Sequence, residues 1–308
     1  MNLFYASDVH GSDVLWRKFV NAGRFYGVDV LVMGGDIAGK AVVPIVRRNG
    51  GFVARQVTGD RVFGDDELPS VEKRIRDMGL YPLQMSEDEL EAADVDAVFA
   101  RAMAEGLEAW LRLAEERLAG SDIRIFVMLG NDDEPALRDV LARSSLVVDP
   151  EDVAAELGEG FQMLSCGHSN PTPWNSPREL AEDELERHLE QLVLQLQDPQ
   201  SSVFNLHVPP IRTALDKAPE LDVTLKPVVR GGAVQVIAAG SQAVRNIIER
   251  YQPPLALHGH IHESRGVTKL GKTICINPGS EYAEGVLHGA LVSLDRKKGL
   301  RNYQLVSG

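Results

Sequence analysis

Five short apolar runs, each breaking off into acidic, amide or imidazole side chains, constrain this chain of 308 residues more than any other feature. They are NLFYA with Asp8 and His10 beyond it, VDVLVMGGD (Val28 to Asp36), IRIFVMLGNDD (Ile123 to Asp133), SSVFNLHVPP (Ser201 to Pro210) and PPLALHGHIH (Pro253 to His262). Runs of this length and composition read as buried strands. Between the first two, Val14, Leu15, Phe19, Ala22 and Phe25 recur at helical spacing, so the chain opens β-α-β. Ligands of open α/β sheets bind in the crevice beyond the carboxyl ends of strands. The five polar ends are therefore expected to converge.

Those ends supply Asp8, His10, Asp36, Asn131, His207, His260 and His262. Carboxylate, amide oxygen and imidazole form a mixed donor set suited to borderline divalent cations such as manganese, iron or zinc. Seven donors exceed the needs of one tetrahedral ion and match two ions that share a carboxylate. Asp8 and His10 are two apart, as are His260 and His262, so an extended backbone would send each pair to one side of the sheet. Gly34, Gly35 and Gly130 precede candidate ligands and let backbone approach an ion without an intervening Cβ. One such Asp or His is ordinarily structural; the ordered set is not.

Composition bounds the rest. A hydrophobic fraction of 44% sustains a core without covalent staples, and the two cysteines, Cys166 and Cys275, lack any paired spacing, which argues against a disulfide framework and against a zinc-thiolate site. No apolar run is long enough to span a membrane and the N-terminus lacks a signal pattern, so a cytoplasmic protein without a membrane partner is expected. With 32 Lys and Arg against 45 Asp and Glu, the net charge of −13 opposes extended binding to nucleic acid.

One domain is expected over 1–308, with residues 40–121 as an inserted subdomain. Its first part carries a hairpin signal at Asn49-Gly50, and Ser86 to Leu118 is helical, with Leu107, Trp110, Leu111, Ala114 and Leu118 on one face. A further helix is predicted from Ser176-Pro177-Arg178-Glu179, which has the form of a capping box, with Leu180, Leu185, Leu189, Leu192, Val193 and Leu196 as its buried stripe. Before it lies the irregular, Pro-rich GHSNPTPWNSP.

DVHG, GGDI, GND, NLHVPP and HGHIH resemble, in order, the five signature motifs of the calcineurin-like metallophosphoesterases, and INPGS at Ile276 to Ser280 resembles a strand and turn of the smaller bacterial and archaeal members. The resemblance implies an α/β fold: a four-layer αββα sandwich of two mixed sheets flanked by helices, with two metal ions at its edge. Manganese is the first expectation, with iron, zinc and nickel as alternatives. By the resemblance, Asp8, His10 and His262 hold one ion, Asn131, His207 and His260 the other, and Asp36 bridges. Two such ions clamp an in-line displacement at phosphorus and lower the pKa of a shared water so that it attacks as hydroxide. The implied activity is hydrolysis of phosphodiesters or activated phosphomonoesters, the substrate being a small phosphorylated molecule such as a nucleotide.

One departure stands out. The family's third motif continues with histidine, where this chain has Asp132 followed by Asp133. An ionised Asp132 would repel phosphate, whereas a protonated one would serve as acid; His168 of the Pro-rich segment is an alternative acid. Asn170 and Trp174 are candidates for positioning substrate, the latter by stacking on a base. His258 reads as support for the ligands, and His188 and His288 as structural. The departure at Asp132 keeps open a second class of function, a metal-binding scaffold with weak turnover or none.

Overall fold

The computed structural model describes residues 1–308. Its first sheet runs in the order β19-β18-β1-β2-β6-β7, built from β1 (Asn2–Ala6), β2 (Val30–Gly34), β6 (Arg124–Met128), β7 (Val147–Val148), β18 (His288–Asp295) and β19 (Gly299–Ser307). The second, β16-β17-β15-β10-β9-β8, comprises β8 (Ala155–Gly158), β9 (Phe161–Cys166), β10 (Val203–Leu206), β15 (Leu255–Leu257), β16 (Gly266–Leu270) and β17 (Thr273–Asn277). Both are mixed: β1, β2 and β6 run parallel, as do β9, β10, β15 and β17, while β18 and β16 pair antiparallel with their neighbours.

Strand alternation explains the layering. In β1, Leu3 and Tyr5 join a cluster between the sheets with Val30, Val32, Met163, Val203, Leu255 and Ile276. Phe4 and Ala6 face the other way, into a core completed by the helices α1 (Asp13–Tyr26), α5 (Val95–Leu118) and α6 (Leu137–Leu141). On the outer face of the second sheet, Leu164, Phe204, Leu206 and Ala256 pack against α7 (Glu182–Val193) and α8 (Gln242–Tyr251). Helices, sheet, sheet and helices make the four layers that the motifs implied.

Segment 40–121 divides. The strands β3 (Val42–Arg48), β4 (Gly51–Val53) and β5 (Tyr81–Met85) form a small sheet, which with α2 (Arg55–Thr58) and α3 (Leu68–Asp77) surrounds a cluster of its own that includes Val43, Ile45, Phe52, Val71 and Ile75. The β3–β4 turn is Asn49-Gly50, both at positive φ (50° and 77°), as a two-residue turn of the primed type requires. After the short α4 (Glu87–Ala92), α5 returns to the main core: Trp110 stacks on Trp16 of α1 with centroids 4.9 Å apart, and each indole N–H is satisfied, one by the Trp110 carbonyl and the other by Asp13. Short strands β11 (Lys217–Pro219), β12 (Val229–Arg230), β13 (Ala233–Val234) and β14 (Val236–Ala238) form two outlying ribbons. No helix is long and apolar enough to cross a membrane.

Two local expectations are corrected. Phe25 is 80% exposed, because α1 turns Trp16, Phe19 and Val20 inward and its last turn, capped by Gly27, runs past the core. The helix expected from Ser176 begins at Glu182. Glu179 does reach back to the Ser176 amide (2.7 Å), which is half of a capping box. The Ser176 hydroxyl, however, donates to Asp132 (2.6 Å), and Ser169 pairs with Glu179 in a bridge that keeps the backbone extended. Residues 176–180 are thereby bound to the strand-end region.

Candidate metal centre

The seven strand-end residues meet where the two sheets' carboxyl edges face one another. Asp8 follows β1; its carboxylate accepts from the His260 amide at 3.0 and 3.1 Å and lies 3.4 Å from His262 Nε2. His10 Nε2 is 3.0 Å from His262 Nε2 and 3.7 Å from Asp36 Oδ2. The same Asp36 oxygen is 3.4 Å from His207 Nε2, while Asn131 Oδ1 is 2.7 Å from His260 Nδ1. Two groups result, Asp8, His10, Asp36 and His262 on one side, Asp36, His207 and His260 on the other, each with its donor atoms within 4.8 Å of one another. Asp36 belongs to both.

The backbone reaches this arrangement by turning. Asp8, His10, Asp36 and His260 all have positive φ (58°, 40°, 52° and 65°), a region that non-glycine residues occupy at a cost and that concentrates at functional sites. The extended geometry expected for the Asp8/His10 and His260/His262 pairs is therefore not what aims them: β1 ends at Ala6 and β15 at Leu257. His260 and His262 consequently fall into different groups. Gly35 (φ 112°) and Gly130 supply close approach, since a Cβ would stand 2.7 Å from His207 Nδ1 in the first case and 2.0 Å from Asp36 Oδ1 in the second.

The electrostatics call for positive charge. Burial alone would raise the Asp8 carboxyl, but hydrogen bonding to His262 and the charge of His207 hold it at about 2; Asp36 is likewise held well below its usual range against its burial, chiefly by His207. Burial keeps His10 and His260 neutral, at about 3 and about 4. Burial also opposes charge on His207, yet Asp36 and Asp8 outweigh it and push the imidazole up to about 10. Two carboxylates thus favour positive charge in the site. His207 donates through Nδ1 to the Gly34 carbonyl at 2.8 Å, which leaves Nε2 facing the carboxylates, buried and without a hydrogen-bond partner. That orphaned nitrogen, the two carboxylates and the neutral imidazoles fit divalent cations of the borderline class.

Other residues fall around this core. His258 is fully buried with Nδ1 2.8 Å from the Leu206 carbonyl, and belongs to neither group. His288 bonds Ser307 and lies 3.1 Å from Glu281, in a cleft of about 390 Å³ that begins at His262. His168 packs on His188 and Cys166, not among the Asp/His donors. Burial lowers it to about 4, so it carries no proton to give as an acid near neutral pH. Trp174 stands 61% exposed. Asn170 keeps a buried, unpartnered amide oxygen, and the Pro-rich segment reaches the centre through Ser176 and Arg178 instead.

Sequence reasoning missed three contributors. Lys40 forms an ion pair with Asp132, which also accepts from Ser176 and from the Asn131 amide (3.3 Å). Burial would lower the Lys40 ammonium, but Asp132 and Asp36 raise it. Tyr282 stacks obliquely on His10 with centroids 4.7 Å apart. Arg178, buried, donates to both Glu151 oxygens at 2.7 Å and to the Gly130 carbonyl at 3.1 Å, and its amide bonds the Asn131 carbonyl. Lys40, four residues after Asp36, was the only one with a local signal.

No family model matches the chain. The uncharacterized protein MJ1162 of Methanocaldococcus jannaschii is 31% identical over 176 residues, 56% of this chain and 70% of that protein. One solved structure aligns over 99% of this chain and 98% of its own length with 18% identity and a TM-score of 0.57, a likeness of fold. Structures described as a novel archaeal phosphodiesterase (11% identity, TM-score 0.36, the whole of both chains) and as Yfce, a phosphoesterase from E. coli (12%, 0.35, 99% and 98%), are also similar, at scores that carry nothing further. The chain belongs to the family of the Methanocaldococcus jannaschii protein MJ1162, and its αββα sandwich brings the five sequence motifs to one edge.

Proposed function

We propose that the chain is a metal-dependent phosphoesterase acting on phosphodiesters or activated phosphomonoesters of small molecules, nucleotides among them. The observation that carries this reading is the pair of donor groups sharing Asp36. Asp8, His10 and His262 would hold one divalent ion, Asn131, His207 and His260 the second, and Asp36 both, with manganese first among the candidates. Two ions so placed supply Lewis acidity at phosphorus and water activated at neutral pH.

The chain's own residues do the rest. His207 is oriented by the Gly34 carbonyl, and Asp36 by the Asp132 amide at 3.0 Å. Asp132, in the place of the family's motif histidine, holds Lys40, whose ammonium supplies cationic charge beside the site. On this reading Lys40 offsets charge on the phosphoryl oxygens, and the preference for good leaving groups follows from an aspartate engaged by Lys40 and Ser176 standing where the family has histidine. Segment 40–121, which contributes Lys40 beside Asp132, would act as the substrate-selecting insertion within a single domain. Two buried, unpaired cysteines suit a cytoplasmic setting.

The test is manganese-supplemented hydrolysis of bis(4-nitrophenyl) phosphate by wild type, Asp36→Ala and His207→Ala. Metal-dependent turnover that falls at least about 100-fold in both variants supports the reading. Turnover insensitive to both changes, or none with any divalent ion, defeats it. Equal rates on an alkyl monoester would remove the substrate preference while leaving the rest.

A further inference from the structure

A second group of ligating atoms lies apart from the Asp/His centre, at the end of β9. Cys166, His168 and His188 each bring one donor atom within 4.8 Å of the others, with Cys166 Sγ 3.9 Å from His168 Nδ1 and the two imidazole centroids 5.5 Å apart. Asp152 adds an oxygen: its Oδ1 lies 3.6 Å from His188 Nε2, while Arg138 holds its other oxygen at 2.6 Å. At 3.6 Å that contact is not a hydrogen bond, and His188 Nε2 is buried without any partner. A buried imidazole nitrogen left unsatisfied beside a thiol, a second imidazole and a carboxylate is poorly explained as packing.

We propose that Cys166, His168, His188 and Asp152 form a mononuclear zinc site distinct from the phosphoesterase centre. The donors fit zinc by type: one sulfur, two nitrogens and one oxygen, with bonds of about 2.0–2.3 Å reached by side-chain rotation. A thiolate also separates this site from the all-nitrogen-and-oxygen centre, because softer metals follow sulfur. With Asp152 rotated in beside His188, four protein donors would fill a tetrahedral ion and leave no position for substrate. Binding exchanges the thiol proton for the metal–sulfur bond, one proton leaving per ion bound. Entry is open on one side, since His188 is 27% and Asp152 44% exposed.

The residues come from three places: the end of β9, helix α7 and the turn that follows β7. Glu151, next to Asp152, receives both Arg178 and the Gly167 amide, and Arg178 holds the backbone of Gly130 and Asn131. A zinc ion here would tie the wall that carries Asn131 to the second sheet. No C-x-x-C or paired histidine spacing announces it; the strand end and the helix bring the donors together.

Cobalt(II) titration of the metal-stripped protein tests this, with circular dichroism verifying the fold. Expected is a thiolate-to-cobalt charge-transfer band that saturates at one ion per chain, persists in Asp36→Ala and in Cys275→Ser, and disappears in Cys166→Ser. In parallel, protein purified from zinc-supplemented growth should contain about one equivalent of zinc more than its Cys166→Ser and His188→Ala variants, by elemental mass spectrometry. A folded wild type without the band, a band retained in Cys166→Ser, or equal zinc in all forms overturns the proposal. Because Asp36→Ala is included, loss of the phosphoesterase reading would leave this result legible.

Discussion

Glu151→Ala should destabilise the protein severely and slow it as well. The Glu151 and Arg178 side chains are 1% and 5% exposed, joined by bonds of 2.7 Å to both carboxylate oxygens. Removing the acid leaves a guanidinium buried without its counter-charge, at a cost of about 3–5 kcal/mol. The Gly167 amide loses its acceptor too, within the same range rather than in addition, because the two groups share one carboxylate. Against a total stability of about 5–15 kcal/mol this is a large fraction, and a melting temperature lower by on the order of 10 °C is expected. The double variant Glu151→Leu/Arg178→Met removes both charges and should recover about half of the loss or more, the remainder coming from the unpartnered Gly167 amide and Gly130 carbonyl. Urea denaturation of both variants and wild type measures this directly. A single-variant loss under about 1 kcal/mol, or a double variant no better than the single one, would refute the claim that the buried pair, rather than local packing, holds this wall.

Lys40→Met should lower kcat on bis(4-nitrophenyl) phosphate by about 10-fold, below the roughly 100- to 1000-fold lost with a buried charge-stabilising donor because its side chain is 43% exposed, and Lys40→Arg should restore most of it; unchanged kinetics would remove Lys40 from the site. Acid should destabilise the metal-free protein through His258: burial lowers it from 6.5 to about 4, so its contribution is complete above pH 6.5 and is lost as pH falls toward 4, where the unfolded chain takes a proton that the folded chain refuses. The slope is at most about 1.4 kcal/mol per pH unit for this group, and His258→Gln should flatten it in urea midpoints measured across that window. Gly130→Ala should abolish manganese binding at the Asp/His centre in isothermal titration while far-ultraviolet circular dichroism stays native, because the new methyl would stand 2.0 Å from Asp36 Oδ1 and 2.3 Å from the Asp36 backbone nitrogen; full manganese binding would show that this loop can give way.

Some of this is legible in the sequence alone. Apolar runs with polar ends named the seven residues that the fold brings together at one edge, because strand burial and ligand chemistry are each written within about ten residues of chain. Asn49-Gly50 announced its hairpin for the same reason: the turn's positive φ values depend on those two residues alone. Capping chemistry at Ser176 was equally local and misled, since its hydroxyl found Asp132, 44 positions away. Phe25 obeyed the helical period and still faces solvent, for where a core ends is set by what packs on it.

What the chain determined by itself, then, is the strand runs and their terminal donors; the four-layer class was legible only through the resemblance of its motifs. Tertiary structure alone decided that Asp132 meets Lys40, that Arg178 and Glu151 brace Gly130, that His260 and His262 part company, and that Cys166 lies among two histidines and an aspartate. Periodicity and spacing report on neighbours along one element, whereas these contacts, Cys166 with His168 excepted, join residues from tens of positions apart to 252 apart, and only the order of strands in the two sheets sets which of them meet.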